Sequence, residues 1–253
     1  MNLFERLLHY YEIDEEQYKI LTRQISFDDI PSFNNFSNID KACNLVKEHM
    51  LRKHKIIVYG DYDADGICGC SILVKMFNIL NYHVGYYIPS RYIDGYGINI
   101  KKAREIKEKG YELVITVDNG VSAFEAIEYL RNNDIDVLVI DHHEAQDKLP
   151  NANYIVHPNI SGYTSDLTSS GAFTAFMFSW AMLDKPNEYL ATLASISLIS
   201  DMMPLKGFNR DLMRICINKY KKGKYKSIDL LLNDEKFDDT SIGLNISPKI
   251  NAV

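Results

Sequence analysis

The chain has 253 residues, 46% hydrophobic and 25% charged, with a formal net charge of −6 at pH 7. This composition excludes a disordered or fibrous protein, and the length suits one large α/β domain or two small ones. The acidic balance argues against a general nucleic-acid coat, and the longest apolar stretch, GAFTAFMFSWAML, is too short for a bilayer span of about 20 residues.

Residues 1–52 have the spacing of amphipathic helices, interrupted by FDDIPSFNNFSN, a loop rich in Asp, Asn, Ser and Pro. The N-terminus carries acids and lacks the basic start and cleavage site of a secretory signal, which reads as a cytoplasmic protein. Five β-branched runs follow: KIIVYG, HVGYYIP, LVITVDNG, DVLVIDHHE and NYIVHPN. Between them lie helical segments such as ICGCSILVKMFNIL, NIKKAREIKEKG and VSAFEAIEYLRNN. Strands apolar on both faces, alternating with helices, predict a parallel five-stranded sheet flanked by helices over 53–160. The remainder, 161–253, reads as mostly helical, and 168–222 as entirely so. The expected organisation is α/β, with a helical N-terminal segment (1–52) packed on one domain (53–253).

In such sheets ligands bind beyond the carboxyl ends of the strands, and the unusual residues lie at those ends. GDYDADG places Asp61, Asp63 and Asp65 at alternate positions. In an extended backbone these would share one face, and their mutual repulsion calls for a cation. A calcium-binding EF-hand loop is excluded, because position twelve is Ile72 and a strand, not a helix, precedes it. The spacings of glycine-rich phosphate loops are also missing. Helix capping would suit Asp65 but leaves Asp61 and Asp63 without a purpose. VIDHH adds His142 and His143 after Asp141 at a second strand end. A carboxylate–imidazole set without thiolate indicates a hydrolytic centre of two metal ions, Mn²⁺ preferred and Mg²⁺ the alternative. The four cysteines form no CxxC pair and read as small buried hydrophobes.

Taken in order, VYGDYDADG, RYIDGYG, VITVDNG, VIDHHE and SDMMPL resemble the motifs of the DHH phosphoesterase superfamily. The GDYDADG form, the GYG element, SSGAFTAF and GFNR resemble its RecJ branch of single-strand exonucleases, over roughly residues 38–252. The resemblance implies that Asp63 and Asp65 bind metal, that Asp118 bridges two ions, and that His142 and Asp201 complete the set. Asp61 would be a conditional ligand or a support to the others. His143 and Arg91 would face the substrate phosphate and steady its developing charge, with Asn209 and Arg210 as helpers. The two ions would activate a water for in-line attack on phosphorus, with no covalent intermediate.

The implied activity is 5′-to-3′ exonuclease action on single-stranded DNA in repair and recombination. A single-strand-binding protein or a helicase would be the protein partner. KYKKGKYK (219–226) offers five lysines and two tyrosines to a strand; a solvated helix end explains it equally well. Two alternatives stand beside this. One is a phosphodiesterase acting on short oligonucleotides, cyclic dinucleotides or phosphorylated nucleosides. The other is an inactive scaffold or truncated core, whose signature would be lost ligands. The family's second domain, expected after SPKINAV, has no counterpart in these residues.

Overall fold

The computed structural model describes residues 2–163 and 168–252. Residues 164–167, inside the region expected to be mostly helical, lie outside the described residues. Helices α1 (Leu3–Tyr10) and α2 (Glu15–Thr22) each start at a reciprocal capping box, Asn2 with Glu5 and Asp14 with Gln17, and bury no residue. The expected loop follows, containing two short 3₁₀ turns at Phe27–Asp29 and Phe33–Asn35. Helix α3 (Ile39–Leu51) then buries Ile39, Ala42, Cys43 and Val46.

The alternating units come next: β1 (Ile56–Tyr59), α4 (Ala64–Ile79), β2 (Gly85–Tyr87), α5 (Ile100–Glu108), β3 (Leu113–Val117), α6 (Phe124–Arg131), β4 (Asp136–Ile140) and β5 (Tyr154–Val156). All five strands pair in parallel in the order β2-β1-β3-β4-β5. Val58 stands opposite Ile115, and Ile115 opposite Leu138. The chain leaves β1 for β2 at one edge and returns to the other side of β1 for β3. That reversal opens a crevice beyond the ends of β1 and β3, the usual ligand position in this strand order.

Side chains alternate between the two faces. Ile56, Val58, Ile115 and Leu138 join the larger core, whereas Ile57, Tyr59, Val114 and Val137 join the smaller one under α5 and α6. The larger core is closed by α7 (Gly171–Leu183) and α8 (Glu188–Ser200), which pack on α4 and on each other. Phe173, Phe176 and Phe178 of α7 are fully buried, each contributing roughly 1.5–3 kcal/mol from burial. Helix α3 lies against α7 and β5, and all four cysteines are buried free thiols.

Residues 168–222 are not continuously helical. Asp184 adopts a left-handed conformation that ends α7, and Pro186 follows it. A second break, with Met202 at positive φ and Pro204 behind it, separates α8 from α9 (Gly207–Lys219). Helix α10 (Lys226–Leu232) and a helical stretch from Asp239 to Asn251, with a π turn at Ile242–Ile246, complete the fold. Among the described residues no helix is long and apolar enough to cross a membrane.

Candidate metal centre

The first aspartate cluster does not share one extended face. Asp63 is the N-cap of α4 and accepts the Gly66 N–H at 3.0 Å, so the helix starts at Ala64 and carries Asp65 round with it. The cap therefore falls to Asp63, not Asp65. The three carboxylates separate as a result: Asp61 and Asp63 converge with Asp118, whereas Asp65 converges with His142 and Asp201. Gly66 permits the turn, because a Cβ there would lie 2.5 Å from the Asp61 nitrogen.

Asp65 is buried, and its carboxylate accepts the Gly171 and Ala172 N–H groups at 2.7 and 2.8 Å. The N-terminus of α7, with its unpaired donors and positive dipole end, thus orients this carboxylate. Ser170 caps α7 through the Phe173 N–H. Gly171 presses against Asp118, where a Cβ would meet the Asp118 Cβ at 2.8 Å. Asp118 itself follows β3 with φ +62°, a left-handed conformation that aspartate tolerates better than most residues. Asn119 holds this end of the sheet by donating to the Tyr59 and Val117 carbonyls and accepting the Ile98 N–H.

His142 lies among three carboxylates. Its Nε2 is 3.1 Å from Asp118 Oδ1, 3.5 Å from Asp65 Oδ2 and 3.6 Å from Asp201 Oδ2. Asp201 arrives at the C-terminal end of α8, and its Oδ2 is buried without a hydrogen bond. Six buried side-chain polar atoms lack a hydrogen-bond partner among the described residues, and four of them are here: Asp61 Oδ1, Asp118 Oδ1, His142 Nε2 and Asp201 Oδ2. The His142–Asp118 approach is short enough for an ion pair yet not aligned as a hydrogen bond. Buried atoms of this kind are costly unless something fills the space between them. Acceptors from carboxylates plus one imidazole nitrogen are the donor set of a divalent transition-metal site, and the residues present fit such ions.

The electrostatics agree. Burial, then repulsion from Asp65, Asp63, Asp141 and Asp201, holds the Asp118 carboxyl well above the usual range. Burial likewise pushes Asp61 and Asp201 up to about 6. Without cations the protein strains to keep these groups ionised.

His143 stands differently. Its Nδ1 is 2.8 Å from Asp141 and 3.8 Å from Asp118, and its side chain is 41% exposed. Burial opposes its protonation, but Asp141 more than offsets that and raises its pKa. The fully buried Asp141 also accepts N–H groups from Val121, His142 and His143. His157 accepts the Asn159 N–H at Nδ1, so its Nε2 donates to the His143 carbonyl at 2.8 Å. The Tyr96 hydroxyl lies 3.1 Å from His143 Nδ1 and donates to the Asp118 carbonyl. The sequence assigns no role to Asp141, Asn119, Gly171 or Tyr96, although each lies within a motif quoted above.

Arg91 is exposed, its guanidinium 4.6 Å from the Tyr62 ring centre, between Asp61 and Asp63 in sequence. Asn209 is fully buried, donating to the Thr168 and Pro204 carbonyls and accepting from Ser169. Buried, with both amide N–H groups and its oxygen engaged inside the protein, it is removed as a substrate contact: the helper is a brace between α9 and the segment entering α7. Arg210 donates to the Leu21 carbonyl in the N-terminal segment. Three of the five lysines in KYKKGKYK are ion-paired, Lys219 and Lys224 with Glu188 and Lys222 with Asp234.

Fold and site together define a carboxylate–histidine centre, built for divalent cations, at the switch point of a parallel sheet. The chain belongs to the DHH family, whose N-terminal domain matches residues 55–199. It is 32% identical over 219 residues to the single-stranded-DNA-specific exonuclease RecJ of Bacillus subtilis, covering 84% of this chain and 28% of that protein. Identity to the Haemophilus influenzae RecJ is 34% over 241 residues, covering 87% of this chain and 42% of that protein. The chain thus spans less than half the length of these curated relatives. A crystal structure of exonuclease RecJ bound to manganese superposes with a TM-score of 0.79 at 30% identity, covering 86% of this chain and 57% of the other.

Proposed function

We propose that this protein is a metal-dependent phosphodiester hydrolase that removes nucleotides from the 5′ end of single-stranded DNA. The observation that carries the reading is the convergence of four unpartnered buried polar atoms, from Asp61, Asp118, His142 and Asp201, on one crevice. Asp61, Asp63 and Asp118 would hold one cation, and Asp65, His142 and Asp201 a second. Asp118, which also groups with His142 and His143, stands between them. Manganese is the first choice, given imidazole among the ligands, and magnesium the second; the manganese-bound relative supports that choice. When bound, such ions lower the pKa of a water and polarise phosphoryl oxygens.

The chain's own residues do the rest. The α7 N-terminus fixes Asp65, and Asp141 fixes the His143 ring. An imidazolium at His143, favoured by Asp141, would lie against negative charge growing on the phosphate. Arg91, held on Tyr62 at the rim, supplies a second cation for the strand's 5′ end. Residues 53–253 would form the catalytic domain, with 1–52 packed upon it. Cytoplasmic action, with a single-strand-binding protein or a helicase as partner, belongs to the same reading.

The test is hydrolysis of 3′-labelled, 5′-phosphorylated single-stranded DNA with Mn²⁺, with Mg²⁺ and with a chelator. Metal-dependent shortening from the 5′ end, absent in Asp118→Ala, is the expected result. Equal activity in the chelator would reject the reading.

A further inference from the structure

Away from the metal ligands, an open groove of about 850 Å³ runs between α4, the edge strand β2 and the segment leading into α10. It follows α4 from Ile67, two residues past Asp65, to Ile79, about 18 Å of helix at 1.5 Å per residue. Its near end begins about one helical turn past Asp63, the N-cap of α4. In a chain of net charge −6, no carboxylate lines this groove, whereas Lys75, Lys224 and Lys226 do. Lys224 is held by Glu188; Lys75 and Lys226 are exposed and have no ion pair among the described residues.

Three tyrosines complete the lining. Tyr189 and Tyr225 lie with ring centres 5.0 Å apart, and Tyr86 on β2 is 67% exposed. An exposed aromatic ring on an edge strand, sharing a groove with two lysines that have no ion pair among the described residues, is a poor arrangement for solvent. It suits a ligand with flat apolar faces joined by negative charges.

We propose that this groove holds an unpaired nucleic-acid strand, its bases stacked on Tyr86 and the Tyr189–Tyr225 pair and its phosphates near Lys75 and Lys226. This rests on the nucleic-acid reading of the metal centre and gives that centre a track for the uncleaved remainder of the strand. Substrates too short to leave the metal site would not use it.

The experiment measures binding of a fluorescein-labelled 15-nucleotide oligo-dT by anisotropy, in chelator and over a range of salt. The proteins are wild type, Tyr86→Ala and the double variant Lys75→Ala/Lys226→Ala; all three positions are exposed, and thermal melting verifies folding. Tyr86→Ala should bind about 10-fold more weakly. The double variant should flatten the slope of log K against log salt by about 1.4, some 0.7 per lost phosphate contact. Mn²⁺-dependent cleavage of 5′-phosphorylated dTdT should keep the wild-type rate in every variant. Wild-type affinity and slope in the variants, or no strand binding by the wild type in chelator, would overturn the groove. Failure of the wild type to cleave either substrate, with groove-dependent binding retained, would instead remove the nuclease reading and leave the strand site standing.

Discussion

His142 Nε2 sits 3.1 Å from Asp118 Oδ1, and neither atom has a hydrogen-bond partner although both are buried. Two polar atoms in that position are poised for a shared cation, and in its absence Asp118 is a liability. Replacing it by asparagine removes the charge that Asp65, Asp63, Asp141 and Asp201 oppose. In chelator, Asp118→Asn should therefore be more stable than wild type, by on the order of 1 kcal/mol, or a few degrees in Tm. With Mn²⁺ the order should reverse, and activity should fall at least about 100-fold. Paired melting curves with and without metal decide this; a variant less stable in both conditions would contradict it.

Metal affinity should depend on pH in a definite direction. Asp61 and Asp201 are raised to about 6, chiefly by burial, so protons compete with cations below that pH. Apparent Mn²⁺ affinity should fall as pH drops from 7 to 5, with protons released on binding at pH 6. Calorimetric titrations in buffers of different ionisation enthalpy would measure both, and a flat profile would count against the ligand assignment.

Asp141 touches His143 and three backbone N–H groups but belongs to none of the candidate ligand groups. These contacts suit it to hold the His143 ring in place. Asp141→Asn should retain bound metal while losing roughly 10–100-fold in rate, mostly in kcat. Metal content by elemental analysis, set beside the kinetics, separates this from a ligand; loss of metal would show that Asp141 coordinates.

Gly171 has no room for a side chain, since a Cβ would stand 2.8 Å from the Asp118 Cβ and 2.9 Å from its Cα. Gly171→Ala should destabilise by about 1–3 kcal/mol and weaken metal binding, because the α7 N–H groups that hold Asp65 must shift. Denaturant midpoints and a metal titration give the two readouts, and an unperturbed variant would mean that α7 can slide.

At the other end of the sheet, Asp136 accepts from His49 at 2.9 Å, from Asn153 at 2.8 Å and from Arg131. Burial works against its ionised form, yet these donors prevail and hold its pKa below the ordinary value. The carboxylate thus stabilises the fold above the unfolded value near 3.9, and that contribution is lost as pH falls through the lower folded value. Asp136→Asn should cost about 1 kcal/mol at pH 7, allowing for partial exposure, and the gap should close at pH 3. Urea midpoints at the two pH values test it; a constant gap would mean that shape, not charge, matters.

Much of this was legible along the chain. Strands apolar on both faces have no stable place except inside a parallel sheet covered by helices, so VITV and VLVI located β3 and β4 without further information. Aspartates and histidines gathered at several strand ends likewise pointed to a cation site, because like-charged carboxylates that close together repel unless a cation lies among them. What the chain order could not contain was the partition of those aspartates. Whether Asp65 continued an extended run or turned with a helix depended on Asp63 capping Gly66. Its final orientation depended on N–H groups more than a hundred residues away, at the start of α7. Asn209 was misread for the converse reason: a polar residue beside a motif looks available until it is found buried and bonded to Ser169, Thr168 and Pro204. Residue types and local spacing determined the sheet and the chemistry of the site. Only tertiary packing decided which donors were satisfied within the protein and which were left for a cation, because hydrogen-bond satisfaction of a buried group is set by neighbours distant in sequence.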